Sequence, residues 1–172
     1  IRRLWTAYSQ LASADVCFQD LERELADLPG PYAASRGGLL LLASVDTTAV
    51  GCVGFTAFTQ GVAELRRLYV DPEHRKRHVG TLLVNAALDG ARMAGYQHII
   101  LHTLALMTRA QSLYLREDFV SIPPYSADLP SDIRCFTKPL QPGARPWQPE
   151  SLALSPHDKA EACCRCPTKS PQ

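Results

Sequence analysis

A mixed α/β sheet with helices on both faces is the fold class predicted by three features of this chain. Three strand-like segments between residues 39 and 70 follow one another with only tight turns between them, the pattern of antiparallel strands. From residue 79 onward helical and strand patterns alternate, which requires a crossover connection and a parallel neighbour. At 172 residues the chain can bury one core of ordinary size but has no room for a second catalytic domain.

The elements are read in order. Residues 1 to 13 and 16 to 28 have helical spacing; the second segment opens at Asp15 and closes at the turn formers Pro29, Gly30 and Pro31. A loop runs to Gly38. Leu39 to Val45 is a strand, Asp46 to Thr48 a turn, and Ala49 to Phe58 a second strand with no polar face, so both strands are expected to be well buried. Gln60 and Gly61 turn the chain into a third strand, Val62 to Val70. There the apolar phase slips: Ala63 and Leu65 share one parity, Leu68 and Val70 the other. A β-bulge near Arg66 and Arg67 would let all four face the core.

A helix follows, with Val79, Leu82, Leu83, Ala86, Ala87, Gly90 and Ala94 on one stripe and Gly95 as its cap. Then come a strand from His98 to Leu104, a helix from about Met107 to Glu117, and strands at Phe119–Ile122 and Ile133–Lys138. The domain is placed at residues 1–140. From Gln141 periodicity disappears, and 6 of the 13 prolines fall in residues 141–172, which predicts a disordered tail. The chain starts in mid-pattern at Ile1, so a first strand is expected to be missing.

Composition narrows the function. Lys plus Arg (18) nearly balances Asp plus Glu (17), and no basic patch is interleaved with aromatics, which argues against nucleic acid as a partner. No apolar run reaches the 18 to 20 residues or so of a membrane span. Of six cysteines, Cys17, Cys52 and Cys135 lie far apart and Cys163, Cys164 and Cys166 crowd the end. That is not a secreted disulfide framework, so a cytoplasmic protein is expected. The CCRC spacing fits no standard zinc pattern, and no metal site is assigned.

The most informative segment is Glu64 to Thr81, where a strand runs through a basic turn, Arg75 to His78, into a helix N-terminus. Unsatisfied N–H groups and the helix dipole make such a junction a ready phosphate site.

ELRRLYVDPEHR, GTLLVNAALDGARMAGY, TLALMTRAQSLYLREDF, and IPPY with the late CFTKPL together resemble the GNAT superfamily of acyl-CoA-dependent N-acyltransferases across roughly residues 1 to 140. DLERELADLPGPYA and GGLLLLA resemble a small-molecule-type subset of it, with bacterial and fungal-like members. The resemblance implies the acyl-CoA N-acyltransferase fold, acetyl-CoA as cosubstrate, and a small-molecule amine or amino-acid-like acceptor attacking directly in a ternary complex. A monomer or homodimer is expected.

By the same resemblance Arg75, Lys76, Arg77, His78, Val79, Gly80 and Thr81 form the loop that holds the CoA pyrophosphate. Lys76 and His78 stand where the family has glycine. A side chain forced to positive φ costs about 1 to 2 kcal/mol, so CoA binding could be weaker by a factor of roughly ten to a hundred. Against that, Lys76, Arg77 and His78 add positive charge beside the pyrophosphate. Leu68, Tyr69 and Val70 are implied to offer backbone to the pantetheine arm, a backbone N–H of Leu68 or a neighbour to stabilise the oxyanion, and Met107 and Ala110 to contact the cosubstrate. Glu64 takes the place of the carboxylate that accepts the amine proton, commonly through water, and Tyr114 that of the acid protonating the departing thiolate. Asp118 replaces the glycine usual before Phe119. His102 is read as an ordinary strand histidine and not as a site. The alternative is a degenerate, non-catalytic acyl-CoA-binding module.

Overall fold

The protein is described here from a computed structural model that covers residues 1–11, 21–127 and 129–149. Asp15, Cys17 and the CCRC segment lie outside the described residues. Helix α1 spans Arg2–Leu11 and α2 Leu21–Ala26; strands β1 (Leu39–Val45), β2 (Thr48–Thr59) and β3 (Val62–Val70) follow. After β3 come α3 (Val79–Met93), β4 (His98–Leu104), α4 (Thr108–Arg116), β5 (Val120–Ile122) and β6 (Ile133–Pro139). The sheet order is β1-β2-β3-β4-β6-β5, with β3 and β4 parallel and every other pair antiparallel.

The inferred bulge is present. Cys52 pairs with Tyr69 and Gly54 with Arg66, so Val53 faces both Arg67 and Leu68. Arg67 absorbs the extra residue at φ 59°. Ala63, Leu65, Leu68 and Val70 consequently all pack on the α3 side of the sheet, while Tyr69 turns to the other side. A second feature opens the sheet: β3 and β4 pair only from Val62–His98 to Glu64–Ile100 and then separate.

Helix α3 buries Leu83, Val84, Ala87, Leu88 and Ala91 against the sheet, while Leu82, Ala86 and Ala94 of the expected stripe are exposed. The stripe is rotated because alanine fits either environment; the branched Val84 and Leu88 set the phase by filling the core. The helix ends in a Schellman motif: Gly95 sits at φ 85°, Tyr96 N–H bonds the Ala91 carbonyl at 3.0 Å and Gly95 N–H that of Arg92 at 3.0 Å. Helix α4 closes with the same geometry, but Asp118 holds the left-handed position at φ 57°. There Lys138 Nζ braces the turn, donating to the Glu117 carbonyl at 2.5 Å and reaching Asp118 at 3.4 Å.

On the opposite face α1 and α2 contribute Leu4, Trp5 and Leu21, packed with Tyr32, Cys52 and Tyr69. The segment expected to be loop before Gly38 contains two short 3-10 turns, Gly30–Tyr32 and Ala34–Arg36. Tyr32 lies flat on β2 there: a Cβ at Gly54 would come within 2.7 Å of its ring. The stretch after β6, expected to begin the tail, lies on the sheet as far as Trp147. That indole is buried at 6% exposure among Val62, Ile100, Leu104 and Cys135, with Phe58 and Tyr125 at its edge. An aromatic that large stabilises the fold by burial and overrides the local preference of proline-rich sequence for disorder.

Candidate active site

The opening between β3 and β4 is occupied by a cavity of about 950 Å³ that continues to the start of α3 and along α4. Leu65 to Val70 form one wall and His102 to Leu104 the other, so the stretch where the two strands part is the cavity's interior. Strand backbone that would otherwise pair across the sheet is presented to whatever enters.

At the α3 end, Arg75, Lys76, His78, Val79, Gly80 and Thr81 line the cavity. Arg77 does not; it stands on the outside of the turn, exposed. Lys76 (φ 65°) and His78 (φ 59°) both adopt the left-handed conformation that glycine would fill at no steric cost. The turn therefore keeps the shape of a glycine loop despite its side chains. Arg75 braces it by donating from Nε to the Val70 carbonyl at 3.0 Å. His78 is the residue before the helix and offers no side-chain cap. The first intrahelical bond runs from Leu82 N–H to the His78 carbonyl at 2.9 Å. The N–H groups of Val79, Gly80 and Thr81 precede it and have no intrahelical acceptor. This donor set and the flanking cations fit a pyrophosphate.

Met107, Ala110 and Tyr114 line the wall formed by α4, with Arg109, Leu113 and Arg116 beside them. Tyr114 is buried between Phe119 and Phe136, at 5.6 and 6.1 Å between ring centroids. Burial, helped by the neighbouring Tyr8, pushes its hydroxyl pKa well above the ordinary tyrosine value. Such a phenol is a weaker acid than a free thiol near 8.5, so its chemistry suits donating a hydrogen bond to a thiolate and not surrendering its proton. Tyr8 reaches the cavity from α1, 5.5 Å from the ring of Tyr69.

Glu64 is buried but does not line the cavity. It stands beside His102, which does line it, with 3.2 Å between Glu64 Oε1 and His102 Nδ1. The Tyr125 hydroxyl donates to the same Oε1 at 2.6 Å and lies 2.7 Å from His102 Nδ1. Arg66 approaches Oε2 at 3.9 Å. Burial opposes ionisation of Glu64, yet the bond to His102, the Arg66 charge and the Tyr125 bond outweigh it and hold the carboxyl at about 2. Arg66 also bonds Glu24 at 3.0 Å, and Glu24 takes a two-pronged bond from Arg67 at 2.9 and 2.8 Å and a third contact from Tyr32 at 3.0 Å. Arg67 in turn lies over the Trp5 ring at 5.7 Å. His102 and Tyr125 are the functional candidates that sequence reasoning passed over. The available signal was parity: Glu64 and His102 fall on the same face of adjacent strands, two positions past the shared register of Glu64 with Ile100.

The profile of the acetyltransferase (GNAT) family matches residues 3–119. An uncharacterized N-acetyltransferase of Schizosaccharomyces pombe is 34% identical over 119 residues, covering 69% of this chain and 73% of that protein. Among solved structures, an acyl-CoA N-acyltransferase of Klebsiella pneumoniae superposes with a TM-score of 0.61 at 24% identity, covering 73% of this chain and 88% of its own. An N-acetyltransferase of Thermoplasma acidophilum in complex with coenzyme A gives a TM-score of 0.56 at 21% identity, covering 70% of each chain. The fold is thus shared with acyl-CoA N-acyltransferases, and the chain belongs to the GNAT family of acetyltransferases, as an N-acetyltransferase.

Proposed function

We propose that the protein transfers the acetyl group of acetyl-CoA to the amine of a small or amino-acid-like molecule by direct attack in a ternary complex. The observation that carries this reading is the single cavity joining the α3 N-terminus, the parted strands and the Glu64–His102–Tyr125 cluster. Each part meets one need of the reaction. N–H groups of Val79 to Thr81, with Arg75, Lys76 and His78, receive the pyrophosphate. Leu68, Tyr69 and Val70 receive the pantetheine arm, and a backbone N–H at the bulge faces the thioester oxygen. Met107 and Ala110 form the other wall, and Tyr114 meets the departing sulfur. The amine must lose a proton to attack, because an alkylamine near 10.4 is protonated at neutral pH. The buried cluster on the opposite side of the opening supplies the path for it.

The thiols of Cys52 and Cys135 are unbridged and buried, which favours a reducing, cytoplasmic setting. Among the described residues no helix is long and apolar enough to cross a membrane.

The test is thermal unfolding with and without acetyl-CoA, followed by thiol release with a panel of primary amines. Binding raises the midpoint by mass action, and turnover releases free CoA. No shift at millimolar acetyl-CoA overturns the assignment. A shift without thiol release from any amine selects the non-catalytic binding module instead, a reading favoured by the left-handed Lys76 and His78.

A further inference from the structure

We propose that His102, through Nε2, is the group that accepts the proton of the attacking amine, and that Glu64 and Tyr125 are positioning residues that hold it in the required tautomer. This assignment rests on the acetyl-transfer reading above and adds the identity of the base.

The argument begins with Tyr125. Its hydroxyl has one proton, and that proton is directed to Glu64 Oε1 at 2.6 Å. The Tyr125 oxygen can therefore meet His102 only as an acceptor. Nδ1 of His102 lies 2.7 Å from that oxygen and 3.2 Å from the Glu64 carboxylate, and both partners accept. Nδ1 must carry the ring proton. Neutral imidazole has one N–H, so the lone pair is left on Nε2. No described residue engages Nε2, and His102 is the member of the cluster that lines the cavity.

Glu64 is poorly placed for the same task. It lies behind the cavity wall, and its Oε1 already receives both neighbours. A carboxylate held at about 2 is also a feeble base toward an ammonium-forming nitrogen. Its charge serves instead to stabilise the imidazolium that forms at His102. The groups facing this pair are Arg66 from β3, 3.9 Å from Glu64, Tyr125 from the segment before β6, and Cys135, which pairs with His102 across β4 and β6.

The step balances without any further reactant. The neutral amine nitrogen forms a bond to the thioester carbon and passes one proton to Nε2. The C–S bond breaks with its electron pair on sulfur, held by Tyr114. His102 then releases its proton to solvent and the thiolate takes one up. The products are the amide and free CoA.

The test compares His102→Asn and Glu64→Gln in the pH dependence of thiol release, using acetyl-CoA and the best acceptor of a primary-amine panel. The asparagine amide keeps a donor where Nδ1 was and removes Nε2. His102→Asn is expected to lower kcat by about 10² to 10⁴, to abolish the acid limb of kcat/KM, and to leave the acetyl-CoA thermal shift intact. Glu64→Gln is expected to keep the acid limb, because Nε2 of His102 remains, and to lower kcat through the lost positioning of the ring. A normal acid limb in His102→Asn, or its loss in Glu64→Gln, overturns the assignment. Imidazole ¹⁵N NMR of the wild-type protein reads the tautomer without any variant: protonated Nδ1 with bare Nε2 is expected, and the reverse overturns it. Absence of thiol release by the wild type removes the acetyl-transfer reading itself, whereas wild-type turnover with an unaffected His102→Asn removes only this assignment.

Discussion

The two ends of the cavity are built on opposite principles. At the α3 end a short exposed turn, Arg75 to His78, takes its shape from backbone: two residues at positive φ, one brace from Arg75 to Val70, and a helix that starts without a side-chain cap. At the sheet end Glu24, Glu64, Arg66, Arg67, His102 and Tyr125 come from four separate segments and are held by side-chain bonds in a partly desolvated setting. The first end presents N–H donors to solvent, and it can tolerate substitution at the level of local strain. The second excludes water, so each group depends on the others for its solvation. Substrate affinity is therefore expected to be tuned at the turn, and fold integrity and proton transfer at the cluster.

The contrast is broken most severely at Glu24. Its carboxylate is only 10% exposed and serves Arg66 and Arg67 together. Glu24→Gln leaves the Arg67 guanidinium buried without that countercharge and is expected to cost about 3 to 5 kcal/mol, read by urea unfolding. A loss below about 1 kcal/mol would mean the network behaves as a solvated surface pair.

Next in size is the pH dependence. The Glu64 carboxyl is lowered from 4.5 to about 2 in the folded protein, so its stabilising contribution is complete above the unfolded value near 4.5 and is lost as pH falls from there toward 2. Glu24 is lowered as well; its burial acts the other way but is outweighed by the Arg67 bond and the two arginine charges, so it contributes in the same direction. Glu64→Gln should be less stable than wild type at neutral pH and show a shallower loss between pH 4.5 and 2. Parallel curves for the two proteins would contradict the burial and bonding described.

The smallest effect is expected at the turn. Lys76→Gly with His78→Gly relieves about 1 to 2 kcal/mol of strain per residue, partly offset by the looser unfolded chain. Because the turn already holds both residues at positive φ, that relief acts on folding, and a higher stability in urea unfolding with acetyl-CoA affinity unchanged is expected if strain is all that changes. Weaker binding by titration calorimetry would show that the Lys76 and His78 side chains themselves contact the cosubstrate, and would narrow the contrast between the two ends.

Much of this was legible in the chain. The bulge at Arg67 was written in the parity slip between Leu65 and Leu68, since a strand with one buried face has a single way to keep both halves inside. Gly95 marked the end of α3 because the left-handed cap position favours glycine. The turn from Arg75 to His78 and the start of α3 after it could be located although Lys76 and His78 hold left-handed positions that favour glycine, because strand, turn and helix are local patterns. Three features could not be read this way. The phase of α3 depended on which apolar residues meet the sheet, and alanines are silent on that. Trp147 was hidden in proline-rich sequence, whose local preference says nothing about a distant aromatic pocket. His102 looked like an ordinary strand residue, since its meaning comes from Glu64, 38 positions away, and Tyr125, 23 positions away.

The sequence by itself determined the order of the elements, the bulge, the basic turn before α3 and the family, all of which rest on neighbours within a few residues or on the two- and 3.6-residue periods of strand and helix. Tertiary structure alone decided how β3 and β4 part, which side chain of the Glu64–His102 pair meets the cavity, and which arginine shares Glu24. Those outcomes turn on burial and on hydrogen-bond geometry between remote segments, where a shift of one ångström decides whether a charge is solvated by water or by another residue.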